Sequence, residues 1–187
     1  FGSNGLVASH VAMSSYDIVF TRTLIGALFL ATVFVSSGQA PTYRRDKLHF
    51  ALLLASGVAM GTSWLFLFEA YTLVGVSVAT LAYYCGPVIV MLLAPLVFRE
   101  RLALSSVVAF ATVVAGMLLV NGEALLQGQV APGLVFGVLA AFAYSAMVIL
   151  NKKVASINGL ENAMWQLVSA FVIVALFVGI KRGFAVD

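Results

Sequence analysis

The sequence has 187 residues, 63% of them hydrophobic and 9% charged, with a formal net charge of +3. A soluble domain carries about 25% charged residues, so a chain with mean hydropathy +1.10 cannot clothe a water-facing surface and reads as an integral membrane protein. The positive balance is no nucleic-acid signal, because in a membrane chain the placement of Lys and Arg matters more than their sum.

A bilayer-spanning helix needs about 20 mostly apolar residues. The residues before Met13 read as the second half of one span, and six complete spans follow at 18–36, 50–71, 78–98, 104–120, 134–150 and 164–180. The ten-residue alternation of barrel strands is absent. The chain opens at Phe1 with neither a start methionine nor a basic segment, so no cleavable signal peptide is expected. Cys85, the single cysteine, falls in an apolar run, and His10 and His49 lie near helix ends, so no metal site or other cofactor is expected.

Basic residues give the orientation. Arg44, Arg45 and Lys47, then Arg99 and Arg101, then Lys152 and Lys153 share one side if the spans alternate. The positive-inside rule makes that side cytoplasmic, with loops at 37–47, 99–103 and 151–163. Lys181 and Arg182 are the exception, placed outside, where snorkelling at a helix end is the available account.

The segments "FGSNGLVASHVAM" and "FTRTLIGALFL" align with "FAYSAMVILNKKV" and "MWQLVSAFVIV" across a three-residue gap. The second copy begins five spans later. An odd number of spans per repeat inverts the copies, as in secondary transporters. Gln166 is then the repeat partner of Arg22.

The stretches "FGSNGLVASH", "IVFTRTLIGALFL", "LFLFEAYTLVGVSVATLAYYCGPVIVMLLAPLVFRERL" and "GLVFGVLAAFAYSAMVILNKKV" together resemble the EamA-like branch of the drug/metabolite transporter superfamily. Most telling is the proline-containing fourth span that runs into Phe98, Arg99, Glu100, Arg101 and Leu102. The resemblance implies an all-α polytopic bundle of ten helices in two inverted repeats around a central cavity. This sequence would supply a fragment of it, a partial first helix plus six full helices. Residues 1–127 would form the first repeat and 128–187 the start of the second.

Depth along a helix sorts the polar residues, at about 1.5 Å per residue. Glu69 lies roughly 5 Å and Arg22 roughly 7 Å below the outer boundary. The two form a rim ion pair or snorkel separately, or else Glu69 lines the outer mouth and takes part in substrate or proton binding. Asn4, Trp64, Tyr83, Tyr84, Pro87 and Tyr144 fall nearer the midplane. Pro87 would free a carbonyl near Tyr83. These residues are the candidate substrate-binding set, against the alternative that they are packing residues with satisfied polar ends. Gly57 and Gly61 form a G-x-x-x-G, assigned to packing within the chain ahead of a dimer face.

The expected function is secondary transport of small metabolites across the cytoplasmic membrane by alternating access. Export of amino acids or related compounds comes from the resemblance alone. No G-x-x-x-x-G-K-[ST] loop is present to bind a nucleotide. The expected partners are a small-molecule metabolite and the lipid bilayer, with no nucleic acid and a homodimer left open. The alternative, an integral membrane enzyme, lacks a recognisable catalytic constellation. A seven-helix light sensor would need a lysine inside a span, and all the lysines lie at helix ends.

Overall fold

The computed structural model describes residues 14–43, 46–99, 131–157 and 159–182, with isolated helical positions between 104 and 119. Every regular element among them is a helix: α1 (Ser15–Ser36), α2 (Lys47–Tyr83), α3 (Cys85–Phe98), α4 (Ala131–Lys152) and α5 (Gly159–Arg182). The expected half-span before Met13, with Asn4 and His10, lies outside the described residues, as does most of the expected span 104–120.

Local chemistry sets the helix starts. Ser14 caps α1, its hydroxyl accepting the Asp17 N–H, while Asp46 caps α2 by accepting the Leu48 and His49 N–H groups. Within a bilayer only helices satisfy their own backbone groups, so long apolar runs become helices once started. At 22 residues, α1 and α4 are each about 33 Å long, enough to cross a hydrocarbon core of about 30 Å.

The continuous run from Lys47 to Phe98 is 52 residues long, about 78 Å as one straight helix. It crosses twice, because the chain reverses at Gly75, whose φ is 76° and ψ 166°, a region that only glycine enters freely. Contacts with α4 prove the reversal. Gly133 lies against Val74, Ser63 donates to the Ala140 carbonyl (2.8 Å) and Ser56 to the Met147 carbonyl (3.1 Å). Residues 47–74 therefore run antiparallel to α4. Gly137 lies against Ala79 and Ala82, and Ser145 donates to the Gly86 carbonyl (2.9 Å), so residues 76–98 run parallel to it. The two expected spans, 50–71 and 78–98, are these two arms. The second is broken at Tyr84, with Pro87 in the first turn of α3.

The first arm of α2 is the centre of the bundle, with α4 on one flank and α5 on the other, and α1 closes against α5. Gly57 and Gly61 supply the close approach to α5, facing Gln166 and Ser169 and then Ala170 and Ile173. Gln166 donates to Ser56 Oγ (2.7 Å). Lipid offers no hydrophobic drive between helices, so small residues and such interhelical hydrogen bonds hold them together. The outer surface is apolar, with Phe29 65% and Ile180 87% exposed, as a lipid-facing surface requires.

Candidate functional site

One end of the bundle is tied shut. Glu161, in the first turn of α5, is fully buried. It accepts the Thr42 N–H (2.8 and 3.0 Å), the Thr42 hydroxyl and the Tyr43 N–H (3.0 Å) from the connection between α1 and α2. Tyr43, Phe50 and Trp165 stack over this knot with ring centroids 5.0–5.4 Å apart. His49 contacts Ser156 Oγ at 2.6 Å and Asp46 at 3.2 Å, and Lys152 lies over Phe98 at 4.4 Å. The connections at 37–46 and 153–158 and the end of α3 thus share one end, which also carries Lys47, Arg99, Lys152 and Lys153.

Toward the other end, the Gly75 end, the helices part around a cavity of about 300 Å³. Thr62, Leu65, Phe66 and Glu69 recur at helical spacing on one face of α2 and form one wall. Tyr16 of α1, Phe136 of α4, and Ile173, Phe177 and Lys181 of α5 complete it. Apart from Thr62, whose hydroxyl donates to the Val58 carbonyl (2.9 Å), the walls are apolar except at one corner. There the Tyr16 hydroxyl donates to the Glu69 carboxylate and accepts from Lys181 Nζ at 2.7 Å. The Lys181 ammonium lies 4.2 Å from the centre of the Tyr16 ring and 5.8 Å from that of Phe177. An acid, a phenol and an ammonium thus meet in an apolar setting, where charges attract strongly and a polar ligand is recognised by few groups.

The residues expected from the sequence are distributed differently. Glu69 belongs to the cavity, but Arg22 does not meet it. The Arg22 guanidinium lies over the Trp64 ring at 4.3 Å. Tyr83 is buried and meets Tyr144 edge-on, with centroids 5.4 Å apart and planes at 65°. Trp64 packs against the cluster of Val19, Leu65, Phe68, Val174 and Val178 together with Tyr16 and Ile173, while Tyr83 and Tyr144 pack with Leu67 and Phe66. Tyr84 caps the break before α3, and Pro87 is exposed. Asn4 lies outside the described residues.

Comparison with known proteins gives the family. The model of the EamA-like transporter family matches residues 1–122. The chain belongs to the EamA-like transporter family. It is also 30% identical over 181 residues to the uncharacterized transporter YxxF of Bacillus subtilis (strain 168). That match covers 95% of this chain, which spans 58% of the relative's length. No solved structure matches.

Sequence reasoning missed Tyr16, Lys181 and the phenylalanine walls of this EamA-like protein. Lys181 did carry a signal, as the basic residue that broke the one-sided charge pattern. Tyr16 and the phenylalanines carried none, since aromatic residues are abundant throughout the chain.

Proposed function

We propose that the protein is a secondary transporter moving small metabolites across the cytoplasmic membrane by alternating access, and that it exports amino acids or related compounds. The observation that carries this reading is the cavity at the Glu69 corner. Its volume lies at the lower end of the range for small-molecule sites. Its walls come from α1 and α2 and from α4 and α5, the two repeats of the inverted arrangement proposed for residues 1–127 and 128–187. Sites at a repeat interface become accessible from alternate sides when the repeats rock. With the basic end cytoplasmic, this conformation is closed inside by the Glu161 knot and open outward. Trp64, Tyr83 and Tyr144, which do not line this cavity, are proposed to meet substrate on its way inward.

Counterflow in proteoliposomes tests the reading. Full-length protein is reconstituted with an unlabelled pool of amino acids, and uptake of labelled amino acids is followed with and without a pH gradient. Accumulation without a gradient, reduced tenfold or more by Glu69→Gln, is the expected result. Accumulation that requires the gradient and disappears in Glu69→Gln would make Glu69 the coupling site. No flux of any pool, with the protein folded, refutes transport of this class.

A further inference from the structure

Lys181 stands at the end of the molecule opposite the other lysines, on the last turn of α5, and its side chain is exposed. A lysine that merely snorkels extends its ammonium toward water. This one turns back over two aromatic faces, Tyr16 at 4.2 Å and Phe177 at 5.8 Å, and reaches the Tyr16 hydroxyl at 2.7 Å. The Tyr16 hydroxyl gives its own proton to Glu69, so a carboxylate stands directly behind it. The Tyr16 and Phe177 rings are themselves in contact, with centroids 5.6 Å apart. Two aromatic faces, a hydroxyl acceptor and an acid behind it are the groups that recognise an organic ammonium.

We propose that Tyr16, Phe177 and Glu69 form an ammonium-binding corner, that Lys181 fills it as a tethered stand-in, and that the ammonium of an amine with a compact apolar body displaces Lys181 on entry. The proposal rests on the cavity being the transport site. Phe66 and Phe136, with centroids 6.0 Å apart, and Ile173 supply the apolar wall that such a body contacts. The lysine is suited to leaving, because its long flexible stem starts at an exposed helix end. While it is in place it keeps loose cations out of the site and ties α5 to the Tyr16–Glu69 pair of the first repeat. A tethered competitor acts at an effective concentration in the millimolar range, and the apparent Kd of the free ligand is the intrinsic Kd divided by the fraction of time the site stands vacant. Removing it therefore tightens amine binding, whereas a lysine that was itself a ligand for substrate would, when removed, weaken binding.

Calorimetric titration of the full-length protein in detergent tests this with three probes of similar body: 2-phenylethylamine, 2-phenylethanol and 3-phenylpropanoate. Lys181→Met is expected to bind 2-phenylethylamine on the order of tenfold more tightly than the parent, with Lys181→Gln behaving alike and the alcohol unchanged. Adding Glu69→Gln to Lys181→Met is expected to abolish the gain. An amine Kd unchanged or weakened by Lys181→Met overturns the proposal, as does the absence of amine binding in that variant. So does 3-phenylpropanoate binding that is lost with Lys181, which would make the lysine a ligand for anionic substrates. Binding is read without transport, so the two readings fail separately. Counterflow that fails beside a Lys181-dependent amine Kd removes the transporter reading and leaves the corner. Counterflow that succeeds beside a Lys181-independent Kd does the reverse.

Discussion

Glu161 carries more of the structure than any other charged side chain described. It is fully buried and satisfies two backbone N–H groups and one hydroxyl of a connection 118 and 119 residues earlier in the chain. Removing an acceptor from such donors costs about 1–3 kcal/mol each when they stay dry. Thr42 and Tyr43 are half-buried, so water repairs part of the loss and Glu161→Ala is expected to cost about 2 kcal/mol. That corresponds to an apparent Tm lower by roughly 4–8 °C in detergent. Glu161→Gln keeps an acceptor oxygen and should lose about half as much. Melting curves identical to the parent would show that the connection between α1 and α2 is held by something else. Glu161 sits at a helix start, where an acid is expected from the helix dipole alone, so nothing in the sequence told its long-range role. Glu69 was legible because an acid inside an apolar run is rare and demands a partner. Its partner was not. Arg22 was the nearest cation by depth, but depth ignores the direction in which side chains leave their helices. Arg22 faces Trp64, and Lys181 arrives from a helix that the sequence places more than a hundred residues away.

At the scale of helices, two glycines of α2 are needed for different reasons. Gly75 has no heavy atom near its missing Cβ but holds φ 76° and ψ 166°, an essentially glycine-only region, so Gly75→Ala costs about 1–3 kcal/mol in backbone strain alone. At Gly57 the backbone is ordinary helix, and an added Cβ would overlap the Gln166 carbonyl and the Ser169 hydroxyl. Gly57→Ala therefore pushes α2 and α5 apart, at about 1–3 kcal/mol. A double-mutant cycle separates the two causes. Ser169→Ala is expected to recover part of the Tm lost in Gly57→Ala and none of that lost in Gly75→Ala. Equal effects on both would show that Ser169 does not mark the helix contact. The positions of α1, α4 and α5 were readable from apolar length to within about five residues at either end. The two arms on either side of Gly75 were readable too, because "TLVGVS" interrupts them with small and polar residues. What could not be read was how tightly the chain turns there. The contacts of Val74, Ser63 and Ser56 run against α4 and those of Ala82 and Gly86 run along it, and together they fix the two arms as antiparallel.

For the molecule as a whole, topology and function constrain each other. The Glu161 knot, the His49–Ser156 contact and the Lys152–Phe98 contact place two connections and the end of α3 at one end, and the cavity lies toward the other. This holds whichever way the protein sits in the bilayer. The proposed direction rests on charge: Lys47, Arg99, Lys152 and Lys153 stand at the knotted end, and the positive-inside rule would put that end on the cytoplasmic side. Lys181 opposes that bias, but its hydrogen bond to Tyr16, which in turn donates to Glu69, would offset a charge placed outside. Cysteine labelling decides the matter. In a Cys85→Ser background, Thr72→Cys lies beside Gly75 and Ala155→Cys lies in the connection before α5, both exposed. A membrane-impermeant maleimide applied to intact cells is expected to label Thr72→Cys, and to reach Ala155→Cys only after permeabilisation. That result would leave the cavity open to the outside, as release of an exported substrate requires. The opposite pattern would put the Glu69 corner on the cytoplasmic side and make the conformation one that loads substrate. Lys181 would then be guarding an entrance from the cell's own amines, and the charge bias of the other end would need a different cause.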